Sequence, residues 1–599
     1  MLETRKDEIK KGRMCLQLIH RVQPSFGDFT DFKDFKAQQD MVHKVGLKIS
    51  VMLTFHVFFN KDIIRTLKGY RDEFGDELGI SFHNLGDFAG ERYLKIFNNE
   101  ERELWLYSKE EKKKIIDFFF ARFRECFGYY PTSVAGYVLD TFSLNYIKNR
   151  YPMVQTAVCA CFEEGVRVFH GCNMGWYLFT EGGPWWPWYP SKNNMLRPAA
   201  DKKDALDLVA LPHLIRDLAL CMNGRDDFYG SHPHGVLRGL AYKGDKYPYL
   251  YNVHDQNMIQ HKYNDGYSYC NIFAGPNWMA KKTWLEVPRT IAVKSYMDIL
   301  VFLKKRKKQG LVEDMYLTEF ARCFKKNIHY RRPVAGLWTD TLFGSEKQLF
   351  WYIDPYFRTA IDMDQGGAIV DLRPYVGKVP VQMGSDTREL HDGSYPYLIQ
   401  TSYRWAVCGE SSIYSARLSC GGETVDLKDY RTKAEFTRGK KEHVLNVEPI
   451  EVDFRAAKVV LESRFMFRND GTITVERRIA RIAGKVKKVQ VQEYLNGCWG
   501  TIEYPADQRG IKLAIANKKE TVRIGYRYRS RSAEMENPVT LTATVPQVKT
   551  EVSLIPLNGA NSGFIKEGFV FKPFFTLGTN KELREGGIVR TCLKLEKMK

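Results

Sequence analysis

Two acids stand where a chain of this pattern could do chemistry: Asp140, closing Val134-Ala-Gly-Tyr-Val-Leu-Asp140, and Glu319, in Tyr316-Leu-Thr-Glu-Phe-Ala. A pair of carboxyl groups facing each other across a cleft is what breaking a glycosidic bond requires, at a separation of roughly 5–5.5 Å for retention of configuration or 6.5–9.5 Å for inversion. His83, at the end of Glu77-Leu-Gly-Ile-Ser-Phe-His83, is the third candidate, as a contact to a sugar or to a carboxylate. Each acid also has a purely structural reading. Asp140 is placed to cap the helix that begins near Ser143, with Thr141 and Ser143 as rival caps, and Glu319 can be a helix-turn glutamate with a solvated head.

Substrate-binding candidates cluster in Trp176 to Asn194, where Trp176, Trp185, Trp186, Trp188 and Tyr189 alternate with glycines and prolines that exclude a regular helix or a central strand. Aromatic rings on a stiff loop suit the weakly polar faces of a pyranose, and Glu181 and Asn193 could read its hydroxyls. The same composition equally describes an aromatic plug that fixes a long loop to the domain beneath it. His232 and His234 flank Pro233 and therefore belong to a loop rather than one helical face. Asp255, after His254, and Trp278, ending the aromatic run from Tyr267, complete the set, and Asp340 is a further acid in contention.

The elements that must position these groups follow from the periodicity. Short apolar strands alternate with amphipathic helices from Met14 to about residue 330: Met14 to Ile19, Leu47 to Phe55, Glu77 to His83, Ser133 to Leu139, Val154 to Cys161, Leu208 to Leu211, Tyr249 to Val253 and Met315 to Phe320. Such βα repetition implies a parallel sheet curled into a barrel of seven or eight strands, closed or incomplete, in which polar residues at the C-terminal strand tips are the catalytic suspects. By that rule they are His20, His56, His83, Asp140, Glu163, Asp255 and Glu319. From about Ser345 strands follow one another across Gly, Asn and Asp turns, among them the hairpin turn Arg468-Asn-Asp-Gly471, which predicts an antiparallel β-sandwich. The fold class is thus α/β, with a barrel over 12–344 and a sandwich over 345–599.

Composition excludes several function classes. No apolar run approaches the roughly 18 residues of a membrane span, and the opening segment lacks the apolar stretch of a signal peptide, so no membrane partner and a cytoplasmic location are expected. Twelve cysteines occur without a Cys-x-x-Cys pair, which argues against a zinc knuckle or a disulfide framework. The formal net charge of +19 is heavier after residue 400 but spread along strands, without the blocked Lys/Arg motif of a nucleic-acid binder. No nucleophile elbow, P-loop or dinucleotide glycine pattern stands in the right context.

With the strands laid out, the N-terminal half resembles the glycoside hydrolase/polysaccharide deacetylase barrel superfamily. The matching pieces are Leu47-Lys-Ile-Ser-Val-Met-Leu-Thr-Phe55, Gly75-Asp-Glu-Leu-Gly-Ile-Ser-Phe-His83 and the segment ending at Asp140. The resemblance implies a carbohydrate substrate, and it implies that Asp140, at the end of the fourth strand, is the nucleophile. Metal-dependent deacetylases of the superfamily carry paired aspartates after the first strand and two closely spaced histidines. Here the first strand ends Leu18-Ile-His-Arg21 and His83 is followed by Asn84-Leu-Gly-Asp87, so no cofactor is expected. A divalent metal such as zinc on His20, His83 and Asp87 is the alternative, and would go with a deacetylase. A non-catalytic glycan-binding protein is the other alternative. The sugar, its linkage and the oligomeric state are not legible.

Overall fold

The computed structural model describes residues 10–22, 32–83, 85–99, 101, 104, 107–136, 139–160, 183–212, 217–219, 248–275, 289–341, 343–379, 395–400, 412–497, 511–525, 530–570 and 572–599. The N-terminal unit runs β1 (Arg13–Val22), α1 (Phe32–Val45), β2 (Ser50–Leu53), α2 (Lys61–Phe74), β3 (Glu77–Ser81), α3 (Gly86–Phe97), α4 (Lys109–Phe127), β4 (Ser133–Ala135), α5 (Thr141–Arg150), β5 (Thr156–Ala160), β6 (Val209–Pro212), α6 (Pro248–Ile259), β7 (Tyr267–Ala274), α7 (Arg289–Lys308), β8 (Val312–Asp314) and α8 (Leu317–Asn327).

All its strands are parallel, in the order β6-β5-β4-β3-β2-β1-β7. The short β8 pairs with Met14–Leu16 of β1, below the stretch Ile19–Val22 that pairs with β2. The sheet curls into a half-barrel, and across its open side the Asn271 amide of β7 donates to the Pro212 carbonyl of β6 at 2.6 Å. Residues Met14 to Val22 are buried without alternation because helices cover one face of the sheet and the barrel interior the other. Helix starts are locally encoded. The Asn60 side chain accepts from the amides of Asp62 and Ile63 at 3.1 Å, and Ser108 and Glu111 form a reciprocal capping box at α4.

The antiparallel unit begins with β9 (Val334–Thr339), which pairs β10 (Gln348–Ile353), so the change of grammar falls ahead of the expected boundary at 345. Both belong to the larger of two sheets, of 11 and 9 strands among the described residues, packed face to face on a core that includes Phe350, Tyr352, Phe465, Phe467, Leu541 and Leu593. The long strands β11 (Ala457–Arg468) and β12 (Thr472–Gly484) are joined by the predicted hairpin turn, with Gly471 at φ +84°. At the junction of the two units Asp265 bridges Arg332 and Arg438 at 3.3 and 3.1 Å. No helix among the described residues is long and apolar enough to cross a membrane.

Three buried histidines tie this packing to pH. Burial holds His20 down at about 3, and His254 and His443 at about 4. Each is neutral in the folded chain and takes up a proton near 6.5 when unfolded. Their stabilising contribution is therefore complete above pH 6.5 and is lost as pH falls toward 4. Asp354 works the other way, because burial pushes it up to about 7 and the folded chain keeps its proton where the unfolded chain has lost it. Glu77, also raised by burial, acts in the same sense as Asp354, and against these two carboxyls each of the three histidines adds its own share to the slope by which unfolding free energy falls as the pH falls through this window. His20→Gln should flatten that slope by about one proton; an unchanged slope in thermal melts across a pH series would refute the assignment.

Candidate functional site

The C-terminal mouth of the half-barrel gathers the polar groups that the strands deliver. Strand alternation sorts β1 into two faces. His20 points outward into the helix layer, where its ring nitrogens meet Gln39 Oε1 at 2.8 Å and the Tyr296 hydroxyl at 2.5 Å. Ile19 and Arg21 have the opposite parity. They share the interior face with Asn271 and Phe273 of β7, since Gln17 is registered on Asn271 and Ile19 on Phe273. His83, beyond the tip of β3, is buried and stacks on Phe273 with ring centres 5.2 Å apart, and Ser81 Oγ lies 2.7 Å from its Nδ1.

Asp140 follows β4 on the same rim. Its carboxylate accepts from the Ser143 amide at 2.7 Å and the Ser143 hydroxyl at 3.1 Å, so it does cap α5. It also forms an ion pair with Lys112 Nζ at 2.8 Å, both side chains being at most 3% exposed. The carboxylate is thereby fixed by two helices, α4 supplying the cation and α5 its N-terminus. Lys112 was missed from the sequence because it sits in a lysine-rich run. The signal was there in its spacing with Ile115, Ile116 and Phe119, the buried face of α4.

Glu319 is a correction. It is not on a strand but in the first turn of α8, where its carboxylate accepts from the Tyr316 amide at 3.1 Å and pairs with Lys48 Nζ at 2.7 Å. The neighbouring Leu317 and Thr318 bond Ser50 and Glu77, the first residues of β2 and β3. This helix start therefore closes the N-terminal end of the barrel, opposite the mouth, and Glu319 cannot face Asp140 across a cleft. Asp255 is a second correction: it lies on α6 and is held by both oxygens to Arg306 of α7, at 2.9 and 2.7 Å, in the outer helix layer. Asp340 is spent on a turn, accepting from the amides of Phe343 and Ser345.

The described part of the tryptophan segment is a plug rather than a sugar platform, which corrects the reading of Trp185, Trp186, Trp188 and Tyr189. All four are less than a tenth exposed. The Trp188 indole donates to the Met195 carbonyl at 2.8 Å, the Tyr189 hydroxyl donates to the Ile328 carbonyl at 3.0 Å, and Trp185 packs 5.7 Å from Trp351 of the sandwich. Two spaces beside these rings, walled by described residues, hold about 40 and 10 Å³, far too little for a sugar ring. Asn193 is exposed in the turn that follows, its amide donating to Ser191 Oγ at 3.2 Å. Trp176, Glu181, His232, His234, Trp278 and Glu163 lie outside the described residues.

Two members of the alternative metal set, His20 and His83, have described side chains. His20 and His83 project from opposite faces of one sheet, and no group of three ligating side chains occurs among the described residues; the Asp87 side chain is outside them. Among the described residues, buried side-chain polar atoms without a hydrogen-bond partner include both ends of the Gln17 amide and the Thr156 hydroxyl. Buried polar atoms of this kind are met by water or by a ligand.

A family model described as a domain of unknown function with a solved structure, DUF3863, matches residues 59–226. No curated protein matches the chain. Among solved structures, the chain is similar to a protein of Parabacteroides distasonis provisionally assigned as a glycoside hydrolase/deacetylase, at 12% identity and a TM-score of 0.47, over 63% of this chain and 88% of that one. It is also similar to the 4-alpha-glucanotransferase of Thermococcus litoralis, at 11% identity and a TM-score of 0.29, over 98% and 100% of the two chains. A protein of Escherichia coli K12 provisionally assigned as an aldose 1-epimerase is similar over 41% of this chain and 97% of its own, at 11% identity and a TM-score of 0.27.

Proposed function

We propose that the chain is a carbohydrate-active hydrolase that cleaves glycosidic bonds at the C-terminal mouth of the half-barrel. The observation that carries this reading is the Asp140 carboxylate, fixed by Lys112 and Ser143 on the rim shared with His83. The sequence resemblance directs the substrate class to carbohydrate. In this reading Asp140 faces the anomeric carbon, where positive charge develops as the bond breaks, and His83 orients a hydroxyl. The proton donor is not Glu319; Glu181 and Glu163 are the acids that the sequence puts forward for it. The deacetylase alternative is disfavoured by the outward turn of His20, which removes a ligand from its metal set.

The test is a panel of aryl glycosides and acetylated oligosaccharides, assayed with and without chelator. Aryl release that ignores the chelator is expected. Acetate release that vanishes with chelator would overturn the mechanism, and glycan binding without turnover would favour a non-catalytic binder. Glu319→Gln should leave kcat/KM within about twofold, because the residue stands at the far end of the barrel; a loss of two orders of magnitude would return it to the mechanism.

A further inference from the structure

A space larger than those beside the tryptophans lies between α3 and α4. There Ile96, Phe97, Asn98, Glu111, Lys114 and Phe118 line a cleft of about 490 Å³, within the roughly 300–1,000 Å³ of small-molecule sites. Glu111, Lys114 and Phe118 are three and four residues apart and so share one face of α4. The aromatic floor is rigid. Phe118 meets Phe97 edge-on at 5.3 Å and packs against Phe55 at 5.9 Å, while Tyr93 braces Phe97 at 4.6 Å. The Glu111 carboxylate is held in place by the Ser108 amide at 2.9 Å and the Asn99 amide at 2.8 Å. On the rim Ile96 is 42% exposed.

We propose that this cleft is a distal subsite for a neutral sugar ring of the oligosaccharide whose bond is cleaved at the mouth. The proposal rests on the carbohydrate reading above. Three features carry it. The floor offers apolar ring faces, as the CH face of a pyranose requires, beside an amide, a carboxylate and an ammonium suited to its hydroxyls. The single negative and single positive group balance, which favours a neutral polar ligand over an anion such as a phosphate. The cleft also opens beside the first turns of α4, the helix that starts at the same end of the barrel as the mouth and whose opposite, buried face supplies Lys112 to Asp140.

The test removes two side chains from the wall while leaving the aromatic floor intact. Asn98 has φ +50° at the end of α3, a conformation that glycine adopts freely, and Lys114 is exposed, so Asn98→Gly with Lys114→Ala preserves the fold. For oligosaccharides of six units kcat/KM should fall about tenfold, through KM, while kcat/KM for aryl monoglycosides stays within about twofold. Equal values for wild type and variant on both substrate types would overturn the subsite. If no glycoside is turned over, titration calorimetry with the same hexamers separates the two claims. Binding that weakens about tenfold in the double variant upholds the cleft and overturns the hydrolase reading. Binding unaffected by the variant, or absent for every hexamer, overturns the cleft.

Discussion

Asp140→Asn should lower kcat/KM toward glycosides by about 10³-fold or more, and the loss should survive repair of the fold. Two effects are superposed at this position and have to be separated. Asparagine caps a helix about as well as aspartate, so the bond to the Ser143 amide is retained. The Lys112 ammonium, however, would be left buried without its counter-ion, at a cost of about 3–5 kcal/mol. Lys112→Met removes that charge while keeping most of the side-chain volume. The double variant should therefore regain most of the lost stability in urea melts and remain inactive. Activity returning with stability would show that Asp140 serves the fold alone, as cap and ion-pair partner, and would remove it from the chemistry.

The strands of the half-barrel were legible because a parallel sheet buries both faces of each strand, leaving continuous apolar runs such as Met14 to Ile19 and Ser50 to Leu53. Where the reading failed, local signals were ambiguous. Tyr249 to Val253 carries aromatic and β-branched residues and reads as a strand. It belongs instead to α6, which opens on Pro248, a residue suited to the first turn of a helix. Its misreading put Asp255 at a strand tip. Glu319 was displaced for a related reason: β8 has only three residues, and the start of α8 has Tyr316 at the cap position, where Ser or Thr would have announced a capping box. The position of Asp140 was visible in its spacing, but its partner was not, since a lysine inside Lys109 to Lys114 resembles a solvated face until the buried period of α4 is traced. For Trp185 to Tyr189 the sequence offered plug and sugar platform alike, and nothing local decided between them. Their burial depends on α8 and on the first strands of the sandwich, which meet this segment only in the folded chain.

The second large effect is expected at Asp371, where a single carboxylate serves two guanidinium groups inside the sandwich. Arg358 binds it with two parallel bonds of 3.1 and 3.0 Å, Arg373 adds a third at 3.2 Å, and all three side chains are fully buried. Asp371→Asn keeps the shape and one acceptor oxygen but removes the charge that offsets the desolvation of both arginines. A destabilisation of about 3–5 kcal/mol is expected. Arg373→Met, which leaves Arg358 and Asp371 as a matched pair, should cost distinctly less, and an Asp371→Asn cost below about 1 kcal/mol would show that the cluster is satisfied mainly by its neutral partners. The effect should also travel. Arg358 donates its remaining Nη1 to the Gly183 carbonyl at 2.8 Å, and its guanidinium lies 5.5 Å from the ring of Trp351, against which Trp185 packs. Releasing Arg358 from Asp371 therefore frees the anchor of the tryptophan plug. The emission of Trp185 and Trp351 should shift to the red in Asp371→Asn before global unfolding begins, and should stay at the wild-type position in Arg373→Met. That difference would identify Arg358 as the residue through which the sandwich holds the plug against the half-barrel, so that a charge buried in one unit sets the packing of the other.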